Sequence, residues 1–176
     1  KFGGRNIDDW MLDILPLKPG QKILDVACGA GKQCLTYYKY LNGNASILGG
    51  DVNPDLLNQA KAEAKQQNAA IDFMDLNFNT RFDLADNTFD LESCCFAIYY
   101  AEDIPFTIRE MHRVLKPGGV LFTSGPMPSN KQLFYDIIKE ATDKPIPPMP
   151  GSSRYSTEIL TAVKNKFASV ELNIFE

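Results

Sequence analysis

Residues 22–32, Lys22-Ile23-Leu24-Asp25-Val26-Ala27-Cys28-Gly29-Ala30-Gly31-Lys32, constrain the fold more than any other stretch. A Pro19-Gly20 turn leads into the apolar run 23–26, which reads as a buried parallel strand. The chain then breaks into the small residues Ala27, Gly29, Ala30 and Gly31, and leaves them in a helical pattern with Leu35, Tyr38 and Leu41 on one face. A parallel strand reaches its neighbour only through a long crossover, usually a helix, so this strand, turn and helix commit the chain to an alternating α/β architecture. The turn suits a nucleotide-like ligand lying against main-chain N–H groups, because only residues without a large side chain let a ligand come that close.

Two details separate this turn from a dinucleotide site. The dinucleotide fingerprint needs a third small residue for helix–strand packing, and the count from Gly29 lands on Cys34. Asp25 also stands just before the turn, where a carboxylate repels a pyrophosphate but suits a cationic or zwitterionic ligand. The pattern formed by Asp25, Ala27, Gly29 and Gly31 resembles motif I of the class I S-adenosylmethionine-dependent methyltransferases, whose usual form is D/E-x-G-x-G-x-G. Ala27 departs from it. At a positive φ an alanine there costs about 1 kcal/mol relative to glycine, and in the β region it costs nothing.

Further strands are expected at 45–49, 70–74, 91–97, 120–123 and 169–175, and helices at 6–15, 55–67, 107–115, 129–142 and 157–167. This predicts a three-layer α/β sandwich with a Rossmann-like, mostly parallel sheet in the order 3-2-1-4-5 and the sixth strand beyond. A ligand then lies outside the carboxyl ends of the strands, at the switch point. Asp51, 20 residues beyond Gly31 (31 to 51), ends the second strand, where an acid can accept both hydroxyls of a ribose. The plain alternative is a helix N-cap, but Asn53 fits that role better, with Pro54 falling at the first helical position.

The resemblance extends well over residues 15–124 and loosely beyond. Phe89-Asp90-Leu91 followed by Phe96-Ala97-Ile98-Tyr99-Tyr100 is similar to the family's fourth-strand segment, and Arg113-Val114-Leu115-Lys116-Pro117-Gly118-Gly119 to its structural turn into the fifth strand. The resemblance implies S-adenosylmethionine as co-substrate and a donor site formed by Asp25, Ala27, Cys28, Gly29, Gly31, Lys32, Asp51, Val52, Asp75, Leu76, Cys95 and Phe96. Within it, Asp75 accepts from the adenine amino group and the next N–H donates to a ring nitrogen. Tyr99 and Tyr100 stand where histidines are frequent; Tyr99 reads as core and Tyr100 as a substrate-side contact. No general base is assigned. Glu92 occupies an apolar position of the family, so it needs a partner, a wet strand end or a raised pKa. His112 reads as a solvated residue on an exposed helix. In such enzymes the segment before the first helix folds over the ligand, where Arg5 would meet a carboxylate, and the proline-rich stretch 145–153 reads as a lid on the carboxyl side of the fifth strand.

The 176 residues suit one domain, and a net charge of -4 with no Lys/Arg cluster argues against a nucleic-acid partner and for a small-molecule acceptor. No apolar run approaches the roughly 20 residues of a membrane span. Cys28, Cys34, Cys94 and Cys95 form no C-x-x-C, and with one histidine they argue against a metal site. Free thiols in apolar settings suggest a reducing, cytoplasmic compartment. Enzymes of this class usually insert a seventh strand between the fifth and sixth. Nothing follows 169–175 to supply it, so the expectation is a domain truncated at its C-terminus, with the edge at 120–123 left unpaired or covered by a second copy in a homodimer. Two other functions compete: a module that binds S-adenosylmethionine or its homocysteine product with little catalysis, and a nicotinamide-dependent oxidoreductase, which Asp25 and Cys34 disfavour.

Overall fold

Five of the apolar runs form strands: β1 (Lys22–Val26), β2 (Ser46–Asp51), β3 (Ile71–Asp75), β4 (Phe89–Cys95) and β5 (Leu115–Ser124). The computed structural model describes residues 6–127, 132–144 and 150–175. All four strand pairings are parallel, in the order β3-β2-β1-β4-β5. This is the expected Rossmann-like order, with β1 and β4 on either side of the switch point. Helices α1 (Ile7–Ile14), α2 (Lys32–Tyr40) and α3 (Pro54–Gln66) cover one face, where Leu15, Tyr37, Leu41 and Leu57 pack on Ile23, Ile47 and Leu91. On the other face, Ile108, Met111 and Val114 of α4 (Ile104–Val114) pack with Ile159 on Leu24, Val26 and Cys94. Alternate residues of a strand point to opposite faces, so a strand buried on both sides is apolar almost throughout.

Local signals explain several boundaries. Asn53 caps α3, its side chain accepting from the N–H groups of Asp55 and Leu56, with Pro54 in the first turn. Helix α4 starts at 104 rather than 107, because Asp103 caps it through Phe106 N–H and Pro105 fits a first turn, where a missing N–H costs nothing. In α2 the fully buried ring is Tyr37, and Tyr38 is only partly buried. Lys116-Pro117-Gly118-Gly119 forms a turn within β5, between the pairings Phe89↔Leu115 and Leu91↔Val120. At that end Asp90 accepts from Lys22 N–H and pairs with Lys116 Nζ (2.7 Å), and the lysine holds its carboxyl below the ordinary value.

The expected sixth strand is absent from the described residues. Residues 169–175 carry an alternating apolar pattern but have no ladder partner, and Val170, Leu172 and Ile174 are exposed. A strand exists only against a neighbour, and β5 is bonded to β4 alone. The last described residue, Phe175, instead meets Trp10 of α1, ring centroids 5.3 Å apart. Residues 150–153, assigned to a loop from the sequence, are helical: α6 (Pro150–Arg154), a π-helical turn (Tyr155–Ile159) and α7 (Leu160–Lys166) run on continuously. Helix α5 (Gln132–Thr142) exposes Leu133, Phe134 and Ile137. Arg5, residues 129–131 and residues 145–149 lie outside the described residues.

Glu92 takes neither the wet strand end nor a pairing. It lies in the centre of the sheet at 0% exposure with no hydrogen-bond partner for either oxygen. Burial pushes its pKa well above the ordinary value, offset in part by the charge of Arg113. His112 is half-buried rather than solvated. It lies in the α4–α7 seam, edge-on to Phe167 at 5.1 Å, and burial lowers its pKa. Among the described residues no helix is long and apolar enough to cross a membrane, and no group of His, Cys, Asp and Glu can hold a metal ion.

Candidate functional site

The carboxyl ends of β1 to β4 come together as the sequence pattern implies. In register, Asp25 lies opposite Gly49 and Ser93, and Asp51 opposite Asp75. The small-residue turn between β1 and α2 folds over these ends. Cys28 N–H donates to the Gly50 carbonyl (3.0 Å) and Gly31 N–H to the Cys28 carbonyl (2.9 Å). Ala27 takes φ 56, so the glycine of the motif is missed at a position where it would relieve strain.

The two glycines of the turn do different work. Gly29, at φ 55, has open space where a side chain would stand, which leaves room for a ligand against the main chain. Gly31, at φ 78, is pressed onto the protein: a Cβ there would lie 2.9 Å from Ala60 Cβ and 3.2 Å from the Phe73 ring. It therefore supplies the helix–sheet packing for which the sequence reading looked to Cys34, while Cys34 itself is buried beneath the turn.

Asp51 is the pivot of the site. Its Oδ2 accepts from Gly29 N–H (2.8 Å) and its Oδ1 from Asn53 N–H (2.9 Å). One donor on each oxygen fixes the carboxylate and leaves further lone pairs on both. Asp75 and Val52, 57% exposed, flank it on the open side. Leu76 is buried, and its N–H donates to the Asp51 carbonyl (3.1 Å), so that amide is engaged within the protein.

Asp25 does not face the open side. It is 1% exposed and held from beneath the turn by Ser93 Oγ (2.6 Å) and Cys34 Sγ (3.4 Å). Burial raises its pKa to about 6, against the lowering effect of these two hydrogen bonds. Its position fits a brace for the turn rather than a ligand contact. The sequence reading passed over Ser93, although a serine next to Glu92 in a central strand was a visible signal. Lys32, at the start of α2, pairs with Asp8 of α1 at 2.6 Å and ties the first helix to the turn.

Beyond β4 the chain turns sharply. Phe96 adopts φ 55, a conformation that costs a bulky residue on the order of 1–3 kcal/mol. Its N–H donates to the Ser124 carbonyl (2.9 Å), and its ring is 43% exposed. Cys95, paired in register with Ser124, is partly buried, and burial pushes its thiol up to about 12. A 3₁₀ turn (Ile98–Tyr100) follows, with Tyr99 packed against the core and Tyr100 70% exposed.

Residues 23–119, more than half of the chain, match the family model of the methyltransferase domain. The chain belongs to this family. As a methyltransferase domain, it is 34% identical over 122 residues to phosphoethanolamine N-methyltransferase 3 of Arabidopsis thaliana, a match covering 69% of this chain and 24% of that protein. It is 31% identical over 154 residues to demethylmenaquinone methyltransferase of Chlorobaculum parvum, covering 85% of this chain and 61% of that protein. The chain thus spans from a quarter to three fifths of the length of these curated relatives. The fold is similar to that of an S-adenosylmethionine-dependent methyltransferase from Aquifex aeolicus, with a TM-score of 0.71 and 22% identity over 90% of this chain and 78% of that one.

The turn of this methyltransferase domain does not offer a phosphate cradle. The Gly29 amide is already bonded to a carboxylate, and a pyrophosphate would meet Asp51 where it needs N–H donors. A ligand carrying a vicinal diol and no phosphate meets the opposite situation: a fixed acceptor pair below it and open space above Gly29.

Proposed function

We propose that this domain binds S-adenosylmethionine over the carboxyl ends of β1 to β3 and catalyses transfer of its methyl group to a small-molecule acceptor lying toward β4 and β5, by in-line displacement. The observation that carries the reading is the Asp51 carboxylate, fixed by Gly29 and Asn53 beneath the open side of the turn. Asp51 accepts the two ribose hydroxyls, and Asp75 and Val52 flank the adenine. Ala27, Cys28 and Gly29 line the methionine side, with Asp25 as the brace behind them. Bound there, the sulfonium supplies an electrophilic methyl group. The chain's own work is to hold it in line with the acceptor and to exclude water. Membership of the methyltransferase family and the small-molecule methyltransferases among its relatives support this assignment. Residues 1–176 act as a single domain in this reading.

The test is binding of S-adenosylmethionine to Asp51→Ala. Two charge-assisted hydrogen bonds, each on the order of 1.5–3 kcal/mol, are lost, so calorimetry should show affinity at least about tenfold weaker. Because Asp51 also holds the turn, thermal unfolding of the ligand-free variant serves as the control. An intact variant with undiminished affinity removes Asp51 from the site.

A donor-binding module without turnover is the second reading. It is favoured by the position of His112, the chain's one histidine, in the α4–α7 seam and not at the site. Release of S-adenosylhomocysteine in the presence of an acceptor separates the two.

A further inference from the structure

We propose that Asp25 is the residue that tells donor from product: its buried carboxylate, beneath the turn and out of contact with the ligand, favours the sulfonium over the thioether left after transfer. The proposal rests on the methyltransferase reading and adds the basis of ligand selectivity. S-adenosylmethionine and S-adenosylhomocysteine share their ribose, adenine and amino-acid groups, so Asp51 and Asp75 meet the same chemistry in both. They differ by a methyl group and by one positive charge on sulfur. A protein separates two such ligands only through a difference of affinities, and a fixed negative charge nearby supplies one.

The geometry puts that charge next to the ligand's seat. Asp25 is followed by Val26 and then by the turn, and in register it lies opposite Gly49 and Ser93. Asp51, whose Oδ2 accepts from Gly29 N–H under the open space, acts on Asp25 through its charge. A cation seated over Gly29 falls within the same reach. Asp25 is buried, and its donors are a hydroxyl, Ser93 Oγ at 2.6 Å, and a thiol, Cys34 Sγ at 3.4 Å. Both donors are neutral, so they hold the carboxylate without cancelling its charge. A charge held in this way, out of water, is screened less than an exposed one.

The groups around Asp25 respond to its charge. Burial raises the pKa of Tyr37 in α2 and of Cys94 and Cys95 in β4, and the Asp25 charge adds to each. Cys34 of α2 is raised by its hydrogen bond with Cys28 and by burial, and then by Asp25. These four groups therefore stay neutral from pH 5 to 7. From α1, Asp8 acts on Cys95 but is paired with Lys32 at 2.6 Å. Ser93 faces Asp25, so its neighbour Glu92 points to the other side of the sheet. Burial raises Asp25 itself to about 6, against its two hydrogen bonds. The carboxyl thus ionises as pH rises through about 6, and a bound sulfonium favours the ionised form. By linkage, affinity for the donor rises over that range, while the thioether, with no charge on sulfur, lacks this gain.

The experiment measures the Kd of S-adenosylmethionine and of S-adenosylhomocysteine by calorimetry on the full chain, from pH 5 to pH 7. The ratio of the product Kd to the donor Kd should rise about fivefold, as for a sulfonium that makes the Asp25 carboxyl about tenfold more acidic. A residue that only shapes the turn moves both constants together and leaves the ratio flat. Asp25→Asn, checked for folding by thermal unfolding, should hold the ratio at its low-pH value throughout. Ser93→Ala is the second variant. It removes a hydrogen bond that favours the ionised carboxylate, so the ratio should rise at a higher pH than in the wild type. Absence of binding by both ligands overturns the methyltransferase reading and this proposal with it. With binding intact, three outcomes overturn this proposal and leave that reading standing: a flat ratio in the wild type, a rise that persists in Asp25→Asn, or a Ser93→Ala profile that coincides with the wild type.

Discussion

Ala27 and Glu92 are both departures from the residues usual at their places in this family, and each has a measurable consequence. Ala27 sits at φ 56, so Ala27→Gly should raise stability by about 1 kcal/mol, read as a higher urea midpoint at unchanged slope. Glu92 has two buried oxygens without partners, and replacing it by an apolar residue of similar size, Glu92→Leu, should stabilise the fold by about 1–3 kcal/mol. The pH dependence has a definite sign. The folded pKa of Glu92 is raised, so the folded state holds the proton more tightly than the unfolded chain. Its contribution is fully present below the unfolded value of about 4.5 and is lost as pH rises toward the folded value. Asp25, raised to about 6, acts in the same direction. Unfolding curves from pH 4 to 8 should show Glu92→Gln gaining on the wild type as pH rises; a constant difference would mean that Glu92 does not titrate with folding. At this scale the sequence showed which residues were acidic and where along the strands they fell. It did not show which way Asp25 points, because that depends on Ser93 and Cys34 lying beneath it.

Elements were legible where the signal was local. The β1–turn–α2 unit, the Asn53-Pro54 start of α3 and the parallel strand order followed from periodicity, caps and crossover handedness. Residues 169–175 were misread because an alternating pattern describes a surface that fits a neighbour, and no neighbour is bonded there. The helical run from 150 was hidden by the prolines before it. Gly31 offers a test of element packing. Gly31→Ala would set a methyl group against Ala60 and Phe73 at φ 78, and should destabilise the fold by about 1–3 kcal/mol in chemical denaturation. By contrast, Gly29→Ala meets open space and shares only the backbone strain, so it should cost the fold less than Gly31→Ala while obstructing the ligand side.

At the scale of the whole molecule, the core is divided by the sheet into two apolar clusters, and the site draws on both the β1–β3 and β4–β5 halves. The outer side of β5, the exposed apolar residues of α5 and those of 169–175 together present surface that promotes association. The chain as given should therefore self-associate as concentration rises, and Leu172→Lys should reduce this in sedimentation velocity. An unchanged distribution would place the association elsewhere.

The buried bond between Ser93 and Asp25 joins residues 68 positions apart, and so does the exposed bond between Asp90 and Lys22. Both cross from β1 to β4, the strands that sequence order separates and the sheet places side by side. During synthesis the small-residue turn leaves the ribosome with the first helix, but the strand that braces it follows only after two complete β–α crossovers. Until then Asp25 is a water-exposed carboxylate, and the turn has nothing beneath it. Loop closure over that distance must precede any reward from the contact, so the turn, made before its brace, acquires its working shape only after β4 has docked.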